Sequence, residues 1–278
     1  MMVIKQVEEL QEVLFRVHSS GKSVGLVPTM GALHDGHLSL IKRARRENQA
    51  TVCSIFVNPT QFNNKEDLEK YPRTLDDDLK LIEDFVDFVF APTAEEVYKE
   101  PAIEHYDFGD LEKVMEGPMR PGHFNGVAII VKRLFDWVKP ERAYFGEKDF
   151  QQIAIIKSLV KQYHLDIEIV PCPIIREASG LALSSRNKRL SEYEHTQAAN
   201  IYRILQESTR LKTIDVSEIR QFVADEIAKV DTLRLEYYEI VDGETLQPIQ
   251  NLDDTGSVVG CITVYCGEVR LIDNIRYK

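Results

Sequence analysis

Apolar residues recur along the chain with two periods, and the switch between them outlines the elements. Residues 3–17 repeat at helical spacing and predict an amphipathic helix. Residues 23–27 (SVGLV) form a short apolar run that Pro28 should end as a strand. A helical stretch follows over about 36–47. Residues 51–57 (TVCSIFV) predict a second strand, stopped by Asn58-Pro59. A helix over 75–84 and a strand over 85–90, closed by Ala91-Pro92, come next. Beyond them the pattern predicts a helix over 127–138, a short strand over 143–145, a helix over 151–163 and a strand over 166–170.

Apolar β-rich runs alternating with helices predict an α/β domain with a parallel sheet. In such sheets ligands bind beyond the carboxyl ends of the strands. The polar residues just after each strand therefore matter most. The alternation stops after Pro171-Cys-Pro173. Residues 191–211 predict one long helix and 216–230 another, followed by strand-like runs at 233–241, 257–265 and 269–272. Helices followed by an antiparallel meander predict a smaller α+β domain. The expected division is 1–175 and 176–278.

Composition narrows the partners. Of 278 residues, 44% are hydrophobic and 28% charged, which is ordinary for a globular chain. The 34 basic and 45 acidic residues leave a formal charge of −11. Residues 1–175 hold 21 basic and 28 acidic residues and residues 176–278 hold 13 and 17, so neither part is a basic module. That argues against nucleic acid or an anionic membrane as main partner, but not against a local site for a small anion. The longest aliphatic run, Val127 to Val131, is five residues, whereas a membrane span needs roughly 20. The N-terminus (MMVIKQVEEL) lacks the features of a signal peptide. Four scattered cysteines make no C-x-x-C pair, which predicts free thiols and a cytoplasmic setting.

Five segments carry candidate chemistry. Residues 28–38 (PTMGALHDGHL) follow the first strand and open a helix. His34 and His37 lie three apart on one face of its first turn, and Gly31 and Gly36 permit tight turns. Free N–H groups at a helix start bind anions, and two imidazoles there suit phosphate oxygens and phosphoryl-transfer charge. The same spacing also serves capping histidines or half of a metal site. Neither G-x-x-x-x-G-K nor G-x-G-x-x-G is present. Residues 56–62 (FVNPTQF) put the amides of Asn58 and Gln61 at a strand end, as substrate contacts or as plain turn chemistry. Residues 144–152 (YFGEKDFQQ) offer Lys148 for phosphate, Asp149 for Mg²⁺–nucleotide or a helix cap, and Gln152 one turn on. Residues 181–187 (LALSSRN) offer Ser184, Ser185 and Arg186 to a polyphosphate, or a capping stretch. Residues 119–126 (MRPGHFNG) set Arg120 and His123 in a glycine-punctuated loop that closes over a site or is simply structural.

PTMGALHDGH, VNPTQF, MRPGHF, FGEKDFQQ and GLALSSRN, in this order, resemble the pantoate–β-alanine ligase family. The resemblance implies a Rossmann-like nucleotidyltransferase domain with helices on both faces, a smaller C-terminal lid, and a homodimer. It implies that ATP and (R)-pantoate form pantoyl adenylate, which β-alanine attacks to give pantothenate and AMP. Mg²⁺ accompanies ATP, and no tightly bound organic cofactor is expected. Met30, Gly31, His34, Gly36 and His37 would cradle ATP, with His37 as proton donor. Gln61, Gln152, Asn58, Arg120, His123 and Tyr71 would serve pantoate or β-alanine. Gly146, Glu147, Lys148 and Asp149 would line the nucleotide, Asp149 beside its metal. Ile175 would meet adenine through its backbone, and Leu183, Ser184, Ser185 and Arg186 would hold the triphosphate. A nucleotidyltransferase that releases its adenylylated product, a tRNA-acting synthetase and a catalytically silent nucleotide binder are the competing readings. Size and acidic charge disfavour the tRNA reading, and the retained His34, His37, Lys148 and Arg186 disfavour the silent one.

Overall fold

The computed structural model describes all residues 1–278. It divides into two compact units. The first comprises Met1–Phe108, Arg120–Glu147 and Gln152–Pro173; the second comprises Gly109–Met119, Lys148–Gln151 and Ile174–Lys278.

The first unit holds a six-stranded parallel sheet of β1 (Met2–Ile4), β2 (Val24–Thr29), β3 (Ala50–Ile55), β4 (Phe88–Phe90), β5 (Arg142–Gly146) and β6 (Glu168–Cys172), in the order β1-β4-β3-β2-β5-β6. From β2 the chain builds outward through β3 and β4, then returns to build the other way through β5 and β6. The switch point lies between β2 and β5, where open α/β sheets bind ligands. Successive residues of the inner strands, Leu26 and Val27, Val52 and Cys53, Val89 and Phe90, are all fully buried. Side chains alternate between sheet faces, so both faces are covered. One cover is the helix Asp35–Glu47, whose Leu40, Ile41 and Ala44 share a core with Val27, Cys53, Val89 and Tyr144.

Three expectations about this unit need correction. Val3 and Ile4 belong to β1, paired with Val89 and Phe90, and the helix begins only at Val7 (Val7–Ser19). A three-residue strand is too short to show its own period. Pro28 does not end β2, which runs on to Thr29. The Thr29 carbonyl accepts from Phe56 N on the β3 side, so Pro28 faces β5, where pairing already stops at Leu26. The missing N–H therefore breaks no ladder. The strand expected over 85–90 is confined to Phe88–Phe90.

The second unit holds the antiparallel sheet β7 (Leu233–Asp242), β8 (Val258–Cys266) and β9 (Val269–Arg276). The helices Asn200–Ser208 and Val216–Ala228 pack on it through Leu205, Val223, Ile240, Ile262 and Val264. The long helix expected over 191–211 is two, Glu192–Ala198 and Asn200–Ser208. At the junction Asn200 Nδ2 donates to the Gln197 carbonyl, a local side-chain alternative to the continuous ladder. Glu116 anchors the Gly109–Met119 segment to this unit by a two-bond pair with Arg270, while Gln151 donates to the carbonyls of Leu111 and Val114. No helix is long and apolar enough to cross a membrane.

Candidate active site

In the first unit the site is built from the carboxyl ends of β2, β3 and β5. After Thr29 the chain turns through Gly31 (φ +77°) and Ala32 (φ +50°) into the helix Asp35–Glu47. Only glycine adopts the first of these angles freely, and a Cβ on Gly31 would stand 3.1 Å from Asp78 Oδ2. His34 caps the helix: its Nδ1 accepts from Gly36 N at 3.2 Å. In a neutral ring that bond puts the proton on Nε2. The His34 and His37 rings are in contact, tilted by 40° with centroids 4.1 Å apart. The capping role and a ligand role thus fall on different nitrogens of His34.

Beyond β3, Asn58 and Gln61 flank a single helical turn, and both are buried. Asn58 Nδ2 donates to Gln61 Oε1 (3.2 Å) and to the Gly126 carbonyl (3.0 Å). Its Oδ1 accepts from Thr60 N, Thr60 Oγ1 and the Tyr98 hydroxyl. The Asn58 amide is thereby engaged with protein at both ends, and it orients the Gln61 amide. Gln61 Nε2 points to Met30 Sδ at 2.9 Å, which joins the β2 and β3 loops. Burial raises the Tyr98 phenol above its ordinary range, so it stays a hydroxyl donor.

The helix His123–Val138 closes on the same turn. Gly126 is required there, because a Cβ would lie 2.3 Å from the Thr60 carbonyl oxygen and 2.7 Å from Gln61 Cα. His123 is buried, with Nδ1 2.8 Å from the Gln61 carbonyl and Nε2 3.0 Å from an Arg120 guanidinium nitrogen. Arginine only donates, so Nε2 accepts and Nδ1–H donates to Gln61. Arg120, His123, Asn58 and Gln61 are thus brought together. Tyr71 is buried and meets Phe62 edge-on, with centroids 5.7 Å apart. Gly146 ends β5, Glu147 follows it, and Gln152 lies near the start of the helix Phe150–Gln162.

The second unit carries the other set. The Lys148 ammonium lies 3.5 Å from Asp149 Oδ2, and the Lys148 carbonyl accepts from Asn274 Nδ2. Next to Asn274, the buried Asp273 takes two bonds from Arg176 at 2.6 and 2.9 Å. Burial raises the Asp273 carboxyl, and Arg176 opposes that shift. Ile175 and Leu183 face one another across a hairpin, Leu183 N donating to the Ile175 carbonyl. Ser184 caps the turn Ser185–Arg189 by accepting from Arg186 N, and Ser185 is buried.

Composition alone singled out none of Asp78, Tyr98 or Asn274. No motif spacing marks them; each acts on a loop distant in sequence. No group of three His, Cys, Asp or Glu residues is arranged as a metal cage. Mg²⁺ bound with phosphates needs only one or two carboxylates, and Asp149, with 45% of its side chain exposed, is available as one. All four cysteines are free and buried, and burial pushes the Cys53 and Cys261 thiols up to about 12. None is suited to act as a thiolate nucleophile.

The pantoate–β-alanine ligase family profile matches residues 2–276. A pantothenate synthetase of Bacteroides fragilis is 59% identical over 280 residues, covering 100% of this chain and 99% of the relative. One from Porphyromonas gingivalis W83 is 53% identical, with both chains fully covered. The crystal structure of pantothenate synthetase from Thermus thermophilus superposes with a TM-score of 0.93 at 41% identity, covering 100% and 99% of the two chains. The ligase from Francisella tularensis, complexed with βγ-ATP and β-alanine, superposes with a TM-score of 0.84 at 34% identity over 100% and 98%. With a parallel sheet that places the histidine pair and the Gln61 turn at its carboxyl edge, and with likeness along its whole length, the chain belongs to the pantoate–β-alanine ligase family.

Proposed function

We infer that the chain joins (R)-pantoate to β-alanine, using ATP and releasing AMP and pyrophosphate. The observation that carries this reading is the His34–His37 pair, rings in contact, on a helix start directly after β2 in a chain of this family. A carboxylate is a poor acyl donor because its leaving group would be oxide. Attack of the pantoate carboxylate oxygen on the α-phosphorus expels pyrophosphate and leaves AMP as leaving group. The β-alanine amine then attacks the acyl carbon, loses a proton, and releases AMP.

Catalysis is positioning plus stabilisation of phosphoryl charge. Met30, Gly31, His34, Gly36 and His37 are assigned to the ATP cradle, with His37 as proton donor to the departing phosphate. Gln61 and Gln152 are assigned to pantoate, and Gln61 also to β-alanine. Asn58 and His123 act through Gln61, one on its amide and one on its carbonyl, and Arg120 acts through His123. Tyr71 stands beside this group in the assignment. Gly146, Glu147, Lys148 and Asp149 line the nucleotide, Ile175 its adenine, and Leu183, Ser184, Ser185 and Arg186 its phosphates. Mg²⁺ would enter with ATP, and Asp149 would be its protein contact. A homodimer in the cytoplasm, with residues 1–175 as nucleotide and pantoate domain and 176–278 as lid, completes the reading.

The test measures pyrophosphate with ATP and pantoate, then AMP after adding β-alanine. Pyrophosphate formation that needs no carboxylic acid would sink the reading. A stable adenylylated product that β-alanine does not consume would favour a nucleotidyltransferase. His37→Ala is expected to lower adenylation by about 10²–10³. Light scattering after size exclusion decides the dimer.

A further inference from the structure

The loop that carries the histidines is held from below by a carboxylate that no motif includes. Gly31 and Ala32 are successive left-handed residues, at φ +77° and +50°. That conformation is unfavourable for alanine, which carries a Cβ. It also turns consecutive backbone N–H groups inward, forming a concave anion nest. The anion seated there is Asp78, from the helix Leu75–Ile82. Its Oδ2 accepts from Ala32 N at 2.9 Å and its Oδ1 from Leu33 N at 2.8 Å. Thr74 Oγ1 donates to Oδ1 at 3.1 Å, and Asp78 is only 3% exposed.

Gly31, Ala32 and Leu33 are all buried, Leu33 shares the core with Val27 and Leu40, and Gly31 N donates to Thr29 Oγ1 at 3.2 Å. A cleft of about 290 Å³ borders Met30, Gly31, Thr74 and Asp78 itself. Beside that cleft, the Asp78 carboxylate is the group that receives the Ala32 and Leu33 N–H groups. The residue after Leu33 is His34, which caps the helix, and the His37 ring lies against it, tilted by 40°. A change in the Ala32 backbone angles therefore rotates the helix entry that aims both rings.

We propose that Asp78 is a positioning residue for adenylation, holding Ala32 in its left-handed conformation so that His34 and His37 face the nucleotide. This rests on the assignment of the two histidines to ATP. Asp78 touches neither substrate nor reacting atoms in this role; it acts through the Gly31–Leu33 backbone.

Asp78→Asn replaces one acceptor oxygen by an N–H₂ that confronts a backbone N–H. The assay is steady-state pyrophosphate release with ATP and pantoate, with Tm measured alongside. Asp78→Asn is expected to lower kcat by about 10-fold or more, in line with loss of alignment. Ile82→Ala, a core truncation on the same helix, is expected to lower Tm while leaving kcat within about twofold. The discriminating variant is Ala32→Gly in the Asp78→Asn background. Glycine adopts the left-handed angle without the carboxylate, so kcat should recover by about threefold or more. A purely structural role for Asp78 predicts no such rescue.

The proposal is overturned if Asp78→Asn keeps kcat and the KM for ATP within about twofold, or if Ala32→Gly restores nothing. Should Asp78→Asn not fold, Thr74→Val removes only the hydroxyl donor. A fall in kcat of about threefold at unchanged Tm then supports the proposal, and an unchanged kcat overturns it. Failure of the underlying assignment looks different: His37→Ala would then retain wild-type adenylation, whatever Asp78→Asn does.

Discussion

Gly126→Ala tests how closely the site depends on backbone approach. A Cβ at this position lies 2.3 Å from the Thr60 carbonyl oxygen, 2.6 Å from its carbon and 2.7 Å from Gln61 Cα. All three are backbone atoms, so no side-chain rotamer relieves the contact. Ordinary packing begins near 3.4 Å, so the helix and the turn must separate by about 1 Å. Two opposing terms act on stability. Alanine is favoured over glycine in a helix interior by about 1 kcal/mol, whereas overpacking costs about 1–3 kcal/mol. The net loss is about 0–2 kcal/mol, and the fold survives. Activity has no compensating term. The Gly126 carbonyl accepts from Asn58 Nδ2, and Asn58 in turn orients Gln61. A displacement of about 1 Å at a positioned group costs about 10²-fold in rate. Initial rates of pyrophosphate release over a pantoate series, with thermal melting on the same samples, separate the two effects. A variant with wild-type kcat/KM for pantoate would refute the claim that this turn sets Gln61.

Tyr98→Phe removes the hydroxyl that donates to Asn58 Oδ1, and should lower kcat/KM for pantoate by about 5-fold, the equivalent of about 1 kcal/mol, with little change in Tm. Equal kinetics would show that Thr60 and the Gly126 carbonyl suffice to orient Asn58. In the second unit, Glu116→Gln leaves Arg270 with Glu236 as its remaining carboxylate and weakens the bond from the Tyr237 hydroxyl. Because Arg270 keeps Glu236, the loss should be that of buried hydrogen bonds, about 1–3 kcal/mol, read as a shift in the urea midpoint, and no shift would refute it. Asp242 accepts from Thr255 and from the Thr245 backbone, which hold its carboxyl down at about 2. Its folded value is lower than its unfolded one, so its contribution is present above about pH 4 and lost as pH falls through about 2. Asp242→Asn should flatten the loss of stability across that window, and an unchanged acid-denaturation profile would contradict the assignment.

The parallel sheet was legible because strands buried on both faces must read as continuous apolar runs. The motif segments were legible because helix caps and a strand-end turn are each made by neighbouring residues. His34 and Gly36, Asn58 and Gln61, Ser184 and Arg186 each lie within three positions of one another. Local reading fails where the deciding partner is remote. Val3 and Ile4 are apolar in a helix-like pattern, and only pairing with β4 makes them strand. Pro28 breaks a strand by rule, yet is harmless where the neighbouring ladder has already stopped.

The amino-acid sequence by itself determined most of the elements, the family and the residue types available for binding a nucleotide and a small acid. Tertiary structure alone decided which residues hold them in place. Asp78 reaches back 46 residues to Ala32, Tyr98 reaches 40 to Asn58, and His123 reaches 62 to Gln61. A buried polar group must find a partner, but the chain does not announce which one. That choice is made when the carboxyl ends of β2 and β3, the helix Leu75–Ile82 and the helix His123–Val138 come together in the first unit.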